Sequence, residues 1–293
     1  MKKIYFIINP ISGSGKRTIS KELIDRFFDK EEYDIIIKTS EYKGHSEILA
    51  QQSVNDNATI VIACGGDGTI NEVASVLVNT CIPLGIIPLG SGNGLASNLK
   101  IPKVITKALQ ILKNNHKTAI DVGCINERYF FSNTGLGFDA CVIKNYEQSQ
   151  KHTLLYYIKS CIKSLVQYNQ QQSSSYRING LPEINNPFLI FISNSNEMGY
   201  KMSFTPNASL EDGMLDVFIV PKLSRVEILF FGFLTLIKKQ HLMKGITTFK
   251  TDALLLSRKQ NKPYTSQIDG EYRLITDYQI SISVKPKSLQ VIC

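Results

Sequence analysis

The amino-acid sequence predicts two domains, an α/β domain on a parallel sheet followed by a β-rich domain. At 293 residues the chain is longer than one compact domain and shorter than three. Up to about residue 123, short β-rich runs alternate with amphipathic helical segments, which is the rhythm of βαβ units. Beyond that point strand-like runs predominate. We therefore expect domains at 1–123 and 124–284, with the last residues, about 285–293, returning to the first domain.

In the α/β domain, four strand-like runs are each followed by a helical segment. The strand-like runs are rich in Ile, Val and Tyr, and the helical segments carry their apolar residues on one face. The fourth run is followed by Ile101-Pro102, which introduces the last helix. The predicted strands are 4–8, 33–38, 59–63 and 84–87, and the predicted helices are 18–28, 46–54, 70–78 and 103–114.

In the C-terminal domain, strand-like runs are interrupted by two helical patterns. A polar stretch at 169–175, NQQQSSS, is typical of a surface loop. The change from alternating units to successive strands indicates a separate β-rich layer structure. The predicted strands are 128–132, 188–193, 215–220, 281–284 and 289–292, and the predicted helices are 154–167 and 225–242.

Composition indicates a folded protein of a reducing compartment. Hydrophobic residues make up 43% and charged residues 20%. The six cysteines form no C-x-x-C pair, which argues against a zinc site and against a secreted disulfide framework. The apolar run at 4–8 is too short for a signal peptide, and the run at 226–237 falls short of the ~18 residues that span a bilayer. We expect a cytoplasmic protein.

The net charge is basic. Thirty-three Lys and Arg residues stand against 25 Asp and Glu residues, a formal charge of +8. Such an excess suits an anionic membrane surface, nucleic acid or a polyphosphate, and it also suits ordinary solvated lysines. The basic residues are dispersed and no nucleic-acid recognition motif is visible, so we expect no nucleic-acid partner.

The strongest chemical motif is CGGDGTINE at 64–72, where a predicted strand passes into a helix. Its three glycines let backbone N–H groups approach an anion, Thr69 suits a helix cap, and the helix N-terminus is attractive to phosphate. Asp67 would repel a bare phosphate, so it implies a bridging cation or a hydroxyl to deprotonate. The structural alternative is a glycine-rich turn with an N-cap.

Two further loops follow predicted strands. PLGSGNGLA at 88–96 follows the fourth strand and would lie beside the first motif at the carboxyl edge of the sheet, where together they could cradle a triphosphate. NPISGSGK at 9–16 follows the first strand. It is not a Walker A loop, because Pro10 and Arg17 occupy required positions, and Thr18 replaces the third glycine of a dinucleotide-binding loop.

These motifs, in this order and spacing, resemble the diacylglycerol kinase and sphingosine kinase family of lipid kinases. The resemblance continues downstream and covers most of the chain, which makes it far more specific than any single motif. The matching segments are Asn9-Pro10 with Ser12-Gly13, GGDGTINEV at 65–73, PLGSGNGLA at 88–96, NTGLGFD at 133–139, EDGMLDV at 211–217 and IDGE at 268–271.

The resemblance implies an N-terminal domain like that of phosphofructokinases and NAD kinases, and a C-terminal β-sandwich. It implies an ATP- and magnesium-dependent lipid kinase that transfers the γ-phosphate to a hydroxyl of diacylglycerol or a related lipid. Many bacterial members have G-T-x-N-D-F in the second loop, and this chain lacks that aspartate. A sphingoid-base or other long-chain alcohol kinase therefore stays open, as does a nucleotide-binding regulator without turnover.

The resemblance also assigns residues. Asp269 is the expected general base and Asp67 a second catalytic residue, which also helps to hold magnesium. Asp212, Leu215 and Asp216 are expected to bind a structural magnesium ion, an oxygen-rich setting that suits a hard cation. The alternative for Asp269-Gly270 and for Asp212-Gly213 is a simple polar turn without a catalytic or metal-binding role. The expected ATP-binding residues are Asn9, Ser12, Gly65, Gly66, Asp67, Gly68, Thr69, Gly90, Ser91, Gly92 and Glu271.

The expected partner is a lipid substrate at a membrane surface. The predicted helices at 154–167 and 225–242 are rich in apolar and aromatic residues, which would either line a lipid groove, face the membrane or pack the core. We expect peripheral contact with the inner face of the membrane, and a homodimer stays open. A soluble-metabolite kinase shares the G-G-D-G loop, but the downstream matches oppose it.

Overall fold

The structure is a computed structural model that describes residues 1–15, 19–90, 92–150, 153–167, 175–178, 180–198, 203–258 and 263–293. Ser91 and most of the polar stretch at 169–175 lie outside these residues. The chain forms two compact units. The first contains Met1–Val122 and Pro286–Cys293, and the second contains Gly123–Lys285.

The first unit is an α/β fold on a parallel sheet with strand order β2-β1-β3-β4, and the end of β16 lies parallel to β4 at Val291. The sheet is buried, as the continuous apolar runs of its strands require. The elements are β1 Lys2–Ile8, α1 Lys21–Asp25, β2 Tyr33–Thr39, α2 His45–Asn55, β3 Ile60–Gly65, α3 Asp67–Leu77, β4 Leu84–Pro88, α4 Gly94–Asn98, α5 Ile105–Asn114 and β5 Lys117–Ile125, whose last residues enter the second unit.

The predicted α/β fold is confirmed, and the strand and helix bounds differ by a few residues. All six residues of β3 are buried, and α3 buries Val73, Ala74 and Leu77 among others. The largest difference is α1, which ends at Asp25 although helical periodicity extended to residue 28. The short helix is capped by Ser20, whose Oγ accepts a hydrogen bond from Leu23 N at 3.2 Å.

The second unit is a β-sandwich, as expected. One sheet is antiparallel, with strand order β12-β11-β10-β7-β14-β15. An apolar core joins it to the other sheet, which contains β13, β8, β9 and the first part of β16. The elements are β6 Arg128–Phe130, β7 Asn133–Gly137, α6 Phe138–Glu147, α7 Leu154–Gln167, β8 Ser175–Ile178, β9 Ile184–Asn185, β10 Leu189–Ser193, β11 Leu215–Val220, α8 Arg225–Leu236, β12 Thr247–Thr251, β13 Ala253–Arg258, β14 Tyr264–Ile268, β15 Glu271–Ile275 and β16 Gln279–Ile292.

Strand β10 is buried on both faces. Ile190 and Ile192 point into the core of the sandwich, while Leu189 and Phe191 pack with α8 on the other side of the sheet. This double burial explains why the strand reads as an uninterrupted apolar run rather than an alternating one. The outer layer of the unit is therefore built from helices.

Two sequence-based bounds in this unit were wrong. The predicted strands at 281–284 and 289–292 form one strand, β16. Within it, Lys287 adopts a left-handed φ of 48°, and its N–H donates to Asp121 Oδ1 at 2.7 Å instead of to a strand partner. The helix predicted to reach residue 242 ends at Leu236, where Lys238 adopts a left-handed φ of 57°.

The length and polarity of a helix decide whether it could cross a membrane. Within the described residues, every helix is too short or too polar to cross a bilayer.

Candidate active site

Three loops come together at the carboxyl ends of β1, β3 and β4 in the first unit. We call them the glycine-loop cluster, made of the described residues 9–15, 65–69, 89–90 and 92–94. Parallel strands bring their carboxyl ends to one edge of the sheet, so loops distant in sequence become neighbours there. The contacts between the loops are hydrogen bonds and close backbone approaches.

The first loop is bonded to the second. Asn9 N donates to Cys64 O at 2.9 Å, and Asn9 Nδ2 donates to Thr69 Oγ1 at 3.0 Å. Gly66 N donates to Ser12 Oγ at 3.3 Å. Asn9 and Ser12 therefore hold the start of α3 in place, whatever else they bind.

The second loop is bonded to the third through Asp67. Its Oδ2 accepts a hydrogen bond from Asn93 N at 2.8 Å, and its Oδ1 accepts one from Gly94 N at 2.7 Å. Burial raises the pKa of Asp67, and these two N–H groups offset part of that rise. The carboxylate thus orients the start of α4 from the start of α3.

The loops approach so closely that side chains are excluded. A Cβ on Gly90 would lie 2.7 Å from Gly66 Cα, and one on Gly92 would lie 2.9 Å from Asp67 Oδ2. Gly13 has a φ of 65°, and a Cβ there would lie 2.0 Å from a backbone oxygen of the third loop. Bare backbone next to the N-terminus of the 11-residue helix α3 is the setting in which N–H groups bind phosphate, so the cluster fits the phosphates of a nucleotide.

In the second unit, Asp269 lies in the tight turn between β14 and β15. Asp269 and Gly270 have φ values of 47° and 79°, the two successive positive values of a type I′ hairpin. Asp269 Oδ2 accepts from Phe131 N at 2.8 Å, and Oδ1 accepts from Ser132 N at 2.8 Å and Asn133 N at 3.0 Å. The turn expected from the D-G pair is present, and three N–H groups fix the orientation of its carboxylate.

A buried polar network supports this turn. Gln267 Oε1 accepts from Gly270 N at 2.9 Å, and Gln267 Nε2 donates to Asn133 Oδ1 at 2.8 Å and to Asp139 Oδ2 at 3.3 Å. Burial raises the pKa of Asp139 to about 7, offset in part by the Ala140 amide and by Gln267. Within the described residues, Asp139 Oδ1 accepts no hydrogen bond.

Sequence reasoning missed Asp139 and Gln267 as site residues. Asp139 stands at the end of NTGLGFD, a segment used only for family resemblance, and that segment was the available signal. Gln267 precedes the I-D-G-E match by one residue and carried no signal of its own. Glu271, expected near ATP, has its Oε2 paired with Arg273 Nη2 at 2.7 Å.

The residues expected to hold structural magnesium do lie together, but a cation of the chain lies among their oxygens. Lys250 Nζ is 2.6 Å from Asp212 Oδ2 and 3.4 Å from Asp216 Oδ2, and it donates to Asn207 O at 3.4 Å. Asp216 and Lys250 are paired across strands β11 and β12. Two carboxylates and a carbonyl suit a hard cation, so a metal ion here would have to displace the ammonium.

Both units match known families. Residues 3–125 match the diacylglycerol kinase catalytic domain, and residues 132–293 match the YegS C-terminal NAD kinase beta sandwich-like domain. The chain belongs to the diacylglycerol kinase family. It is a lipid kinase, and kinases of this family use ATP.

Individual relatives agree with the family. Proteins named "Diacylglycerol kinase" from Staphylococcus aureus strains JH9 and Newman are each 29% identical to this chain over 233 residues. The matched region covers 78% of this chain and 73% of each relative. A crystal structure of a protein titled a putative diacylglycerol kinase from Bacillus anthracis str. Sterne has a TM-score of 0.79 at 21% identity, covering 99% of this chain and 95% of that one. At that identity the likeness shows the fold.

The expected residues are thus placed, while their roles stay predictions. The glycine-loop cluster brings together most of the expected ATP-binding residues. Of the others, Ser91 lies outside the described residues and Glu271 lies in the second unit, as does the expected base Asp269. Leu215 has a hydrocarbon side chain, so only its backbone carbonyl could bind a metal ion. The residues brought together in the cluster are Asn9, Ser12, Gly65, Gly66, Asp67, Gly68, Thr69, Gly90 and Gly92.

The close packing of the loops can be tested with Gly90→Ala. The added Cβ would meet Gly66 Cα at 2.7 Å, so the third loop must move, and we expect turnover to fall by about 10²-fold with weakened ATP binding. Gly232→Ala, at an exposed position of α8 with open space around it, is the matched control and should behave as wild type. Steady-state kinetics on both variants decide, and wild-type turnover by Gly90→Ala would contradict the cradle.

The raised pKa of Asp139 makes a prediction about stability. Between the ordinary aspartate pKa of 3.8 and about 7, the folded protein keeps a proton that the unfolded chain has lost, so the free energy of unfolding should fall as pH rises through this window. Asp139→Asn mimics the protonated form. We expect it to raise the free energy of unfolding at about pH 8 by more than about 1 kcal/mol, with a smaller effect at about pH 5. Denaturant unfolding at both pH values measures this, and equal effects at the two would oppose it.

Lys250→Met tests which cation the carboxylates use. Removing the ammonium leaves Asp212 and Asp216 without their counter-charge, and we expect the free energy of unfolding to fall by about 1 kcal/mol. Added Mg²⁺, without nucleotide, should then raise the melting temperature of the variant more than that of the wild type. Lys244→Met, at an exposed lysine six residues earlier, is the control. A larger magnesium effect on the wild type would mean that Lys250 does not compete with the metal.

Proposed function

We propose that this kinase transfers the γ-phosphate of ATP to the hydroxyl of a diacylglycerol or a closely related lipid. The observation that carries the proposal is the glycine-loop cluster, in which Asp67 bonds two glycine-rich backbone loops together beside the N-terminus of α3. The relatives named "Diacylglycerol kinase" support the choice of acceptor.

ATP would bind with its phosphates against the backbone N–H groups of the glycine-loop cluster. In this proposal Asn9 and Ser12 shape the cradle through their bonds to Thr69 and Gly66. Asp67 would hold Mg²⁺ against the phosphates, because a carboxylate beside a triphosphate needs a bridging cation. The magnesium ion, when bound, would neutralise charge that develops on the transferred group.

Asp269 is proposed as the general base. Its carboxylate takes the proton of the lipid hydroxyl as the lipid oxygen forms a bond to the γ-phosphorus. The bond from the γ-phosphorus to the β–γ bridging oxygen breaks, and ADP leaves with that electron pair. The three N–H groups that orient Asp269, together with Gln267 beneath the turn, would keep the base in one position, which is the main requirement of phosphoryl transfer.

One observation keeps a second acceptor class open. Gly94 occupies the place of the aspartate that many bacterial members have in their second loop, and its N–H donates to Asp67 Oδ1. This loop is nearer to that of sphingosine kinases, so a sphingoid base or another long-chain alcohol is the alternative acceptor. A nucleotide-binding regulator without turnover is the second alternative, and the presence of both Asp67 and Asp269 speaks against it.

We also propose peripheral contact with the inner, anionic face of the membrane from the cytoplasmic side. The net charge of +8 supports it, since basic residues are attracted to anionic lipids. A lipid acceptor supports it as well, because long-chain lipids stay in the bilayer. A homodimer is the alternative, because a second copy of the chain could cover the same exposed apolar surface.

The base is tested by Asp269→Asn. Asparagine tolerates the positive φ of this turn and keeps the size of the side chain, but it cannot accept the proton. We expect ATP affinity to persist while lipid phosphorylation falls by ~10² to 10⁴-fold. Nucleotide titration and labelled-phosphate transfer to diacylglycerol measure the two properties separately.

Asp252→Asn is the control, because Asp252 is an exposed carboxylate of the same unit. It should leave both properties unchanged. A fall of only a few fold in Asp269→Asn would make Asp269 a turn residue and pass the role of base to Asp67. Loss of both properties together with loss of the folded circular dichroism spectrum would show that the variant has unfolded, and Asp269→Ser then repeats the test.

A further inference from the structure

The two buried residues of helix α7 are polar. Ser160 and Ser164 are its buried residues, and Asn145 Nδ2 of α6 donates to Ser164 Oγ at 2.8 Å. Asn145 Nδ2 also reaches Gln167 Oε1 at 3.1 Å. An amphipathic helix of a globular protein normally buries most of its aliphatic side chains, whereas most of those in α7 are exposed.

The outward side of α7 is apolar. Leu155, Ile158, Ile162 and Val166 are 71%, 47%, 58% and 84% exposed, and their spacing of three and four residues places them in one stripe. Single exposed apolar residues are common on protein surfaces, but a continuous stripe marks a surface that another body covers.

Helix α8 of the same unit has a second exposed apolar face. Its inner residues Ile228, Phe231 and Leu234 pack on the sheet, in the same apolar cluster against which Leu165 of α7 packs. The outer side of α8 is apolar as well. Its exposed residues are Val226 at 76%, Leu229 at 68%, Phe230 at 52%, Phe233 at 57% and Leu236 at 79%.

The charges around these helices favour an anionic lipid surface over a protein partner. Helix α7 carries Lys159 and Lys163 and no acidic residue. Residues 222–244 contain five basic residues and one acidic residue, Glu227, which caps α8 together with Ser224. Protein interfaces are depleted in lysine, whereas helices that lie in a membrane interface combine a basic rim with Leu, Phe and other apolar residues.

We propose that the outer faces of α7 and α8 form a docking surface for an anionic phospholipid bilayer. The apolar stripe would enter the region between headgroups and acyl chains, and the lysines would contact lipid phosphates. This rests on the proposed function, since a kinase that phosphorylates a bilayer lipid must meet the bilayer. It assigns that contact to two helices that otherwise leave apolar area in water.

The test is vesicle sedimentation with the full chain, without ATP and without diacylglycerol. Vesicles of phosphatidylcholine and phosphatidylglycerol at roughly 3:1, and vesicles of phosphatidylcholine alone, serve as probes. The double variant Ile158→Glu with Phe233→Glu places one charge in each exposed face. We expect its partitioning onto the anionic vesicles to fall about tenfold or more, because inserting a charged residue opposes burial of the stripe.

Ile48→Glu is the matched control, because Ile48 in α2 is 47% exposed, as Ile158 is. It should bind vesicles as the wild type does. Unchanged melting temperatures establish that both variants are folded. Wild-type binding by the double variant overturns the proposal, and so does binding that is equal for the double variant and the control.

A second copy of the chain is the competing occupant. If light scattering shows a wild-type dimer that the double variant converts to monomer, and neither protein binds vesicles, the surface is a dimer interface and the proposal fails. Turnover of a short-chain diacylglycerol dispersed in solution separates this result from catalysis. The double variant should retain that turnover, and a wild type that binds vesicles but phosphorylates no lipid would sink the proposed function while leaving the docking surface.

Discussion

The first unit depends on the approach of two backbone loops that leave no room between them for a side chain. Asp67 makes this approach stable by accepting N–H bonds from Asn93 and Gly94, and the glycines make it sterically allowed. The partial burial that raises the pKa of Asp67 is the cost of this arrangement. One carboxylate therefore serves the architecture of the cluster, and the same charge is suited to meet a magnesium ion beside phosphate.

The second unit uses a carboxylate in the same way. Asp269 is held by three backbone N–H groups in a hairpin turn whose φ values few residues adopt. Beneath it, Gln267 links the turn to the buried Asp139, whose pKa is raised to about 7. Buried polar groups are costly unless they are bonded, and the bonds of this network also fix the positions of its members. What it holds here is the turn that carries Asp269.

The helices α7 and α8 outside the sandwich expose many apolar side chains to water. In α7, Ser164 is buried against Asn145 while most aliphatic side chains face outward, and α8 is apolar on both sides. In water this exposure is unfavourable, since it opposes the burial that stabilises the rest of the unit. A protein whose substrate is a lipid can recover that free energy at the bilayer, and the lysines around the helices add attraction to anionic headgroups.

The sequence by itself determined the properties that depend on local pattern. Strand and helix periodicity revealed the α/β unit and the β-rich unit, and the spacing of glycines after strands identified the phosphate loops, because backbone constraint is a property of single residues. Only the tertiary structure decided which side of α7 faces inward, that the two predicted C-terminal strands are one strand, β16, and that Lys250 lies close to both Asp212 and Asp216. The raised pKa of Asp139 is also a feature that only the tertiary structure decided. Each of these depends on residues far apart in the chain, and the free energy of such contacts is set by burial and by partners that local sequence does not specify.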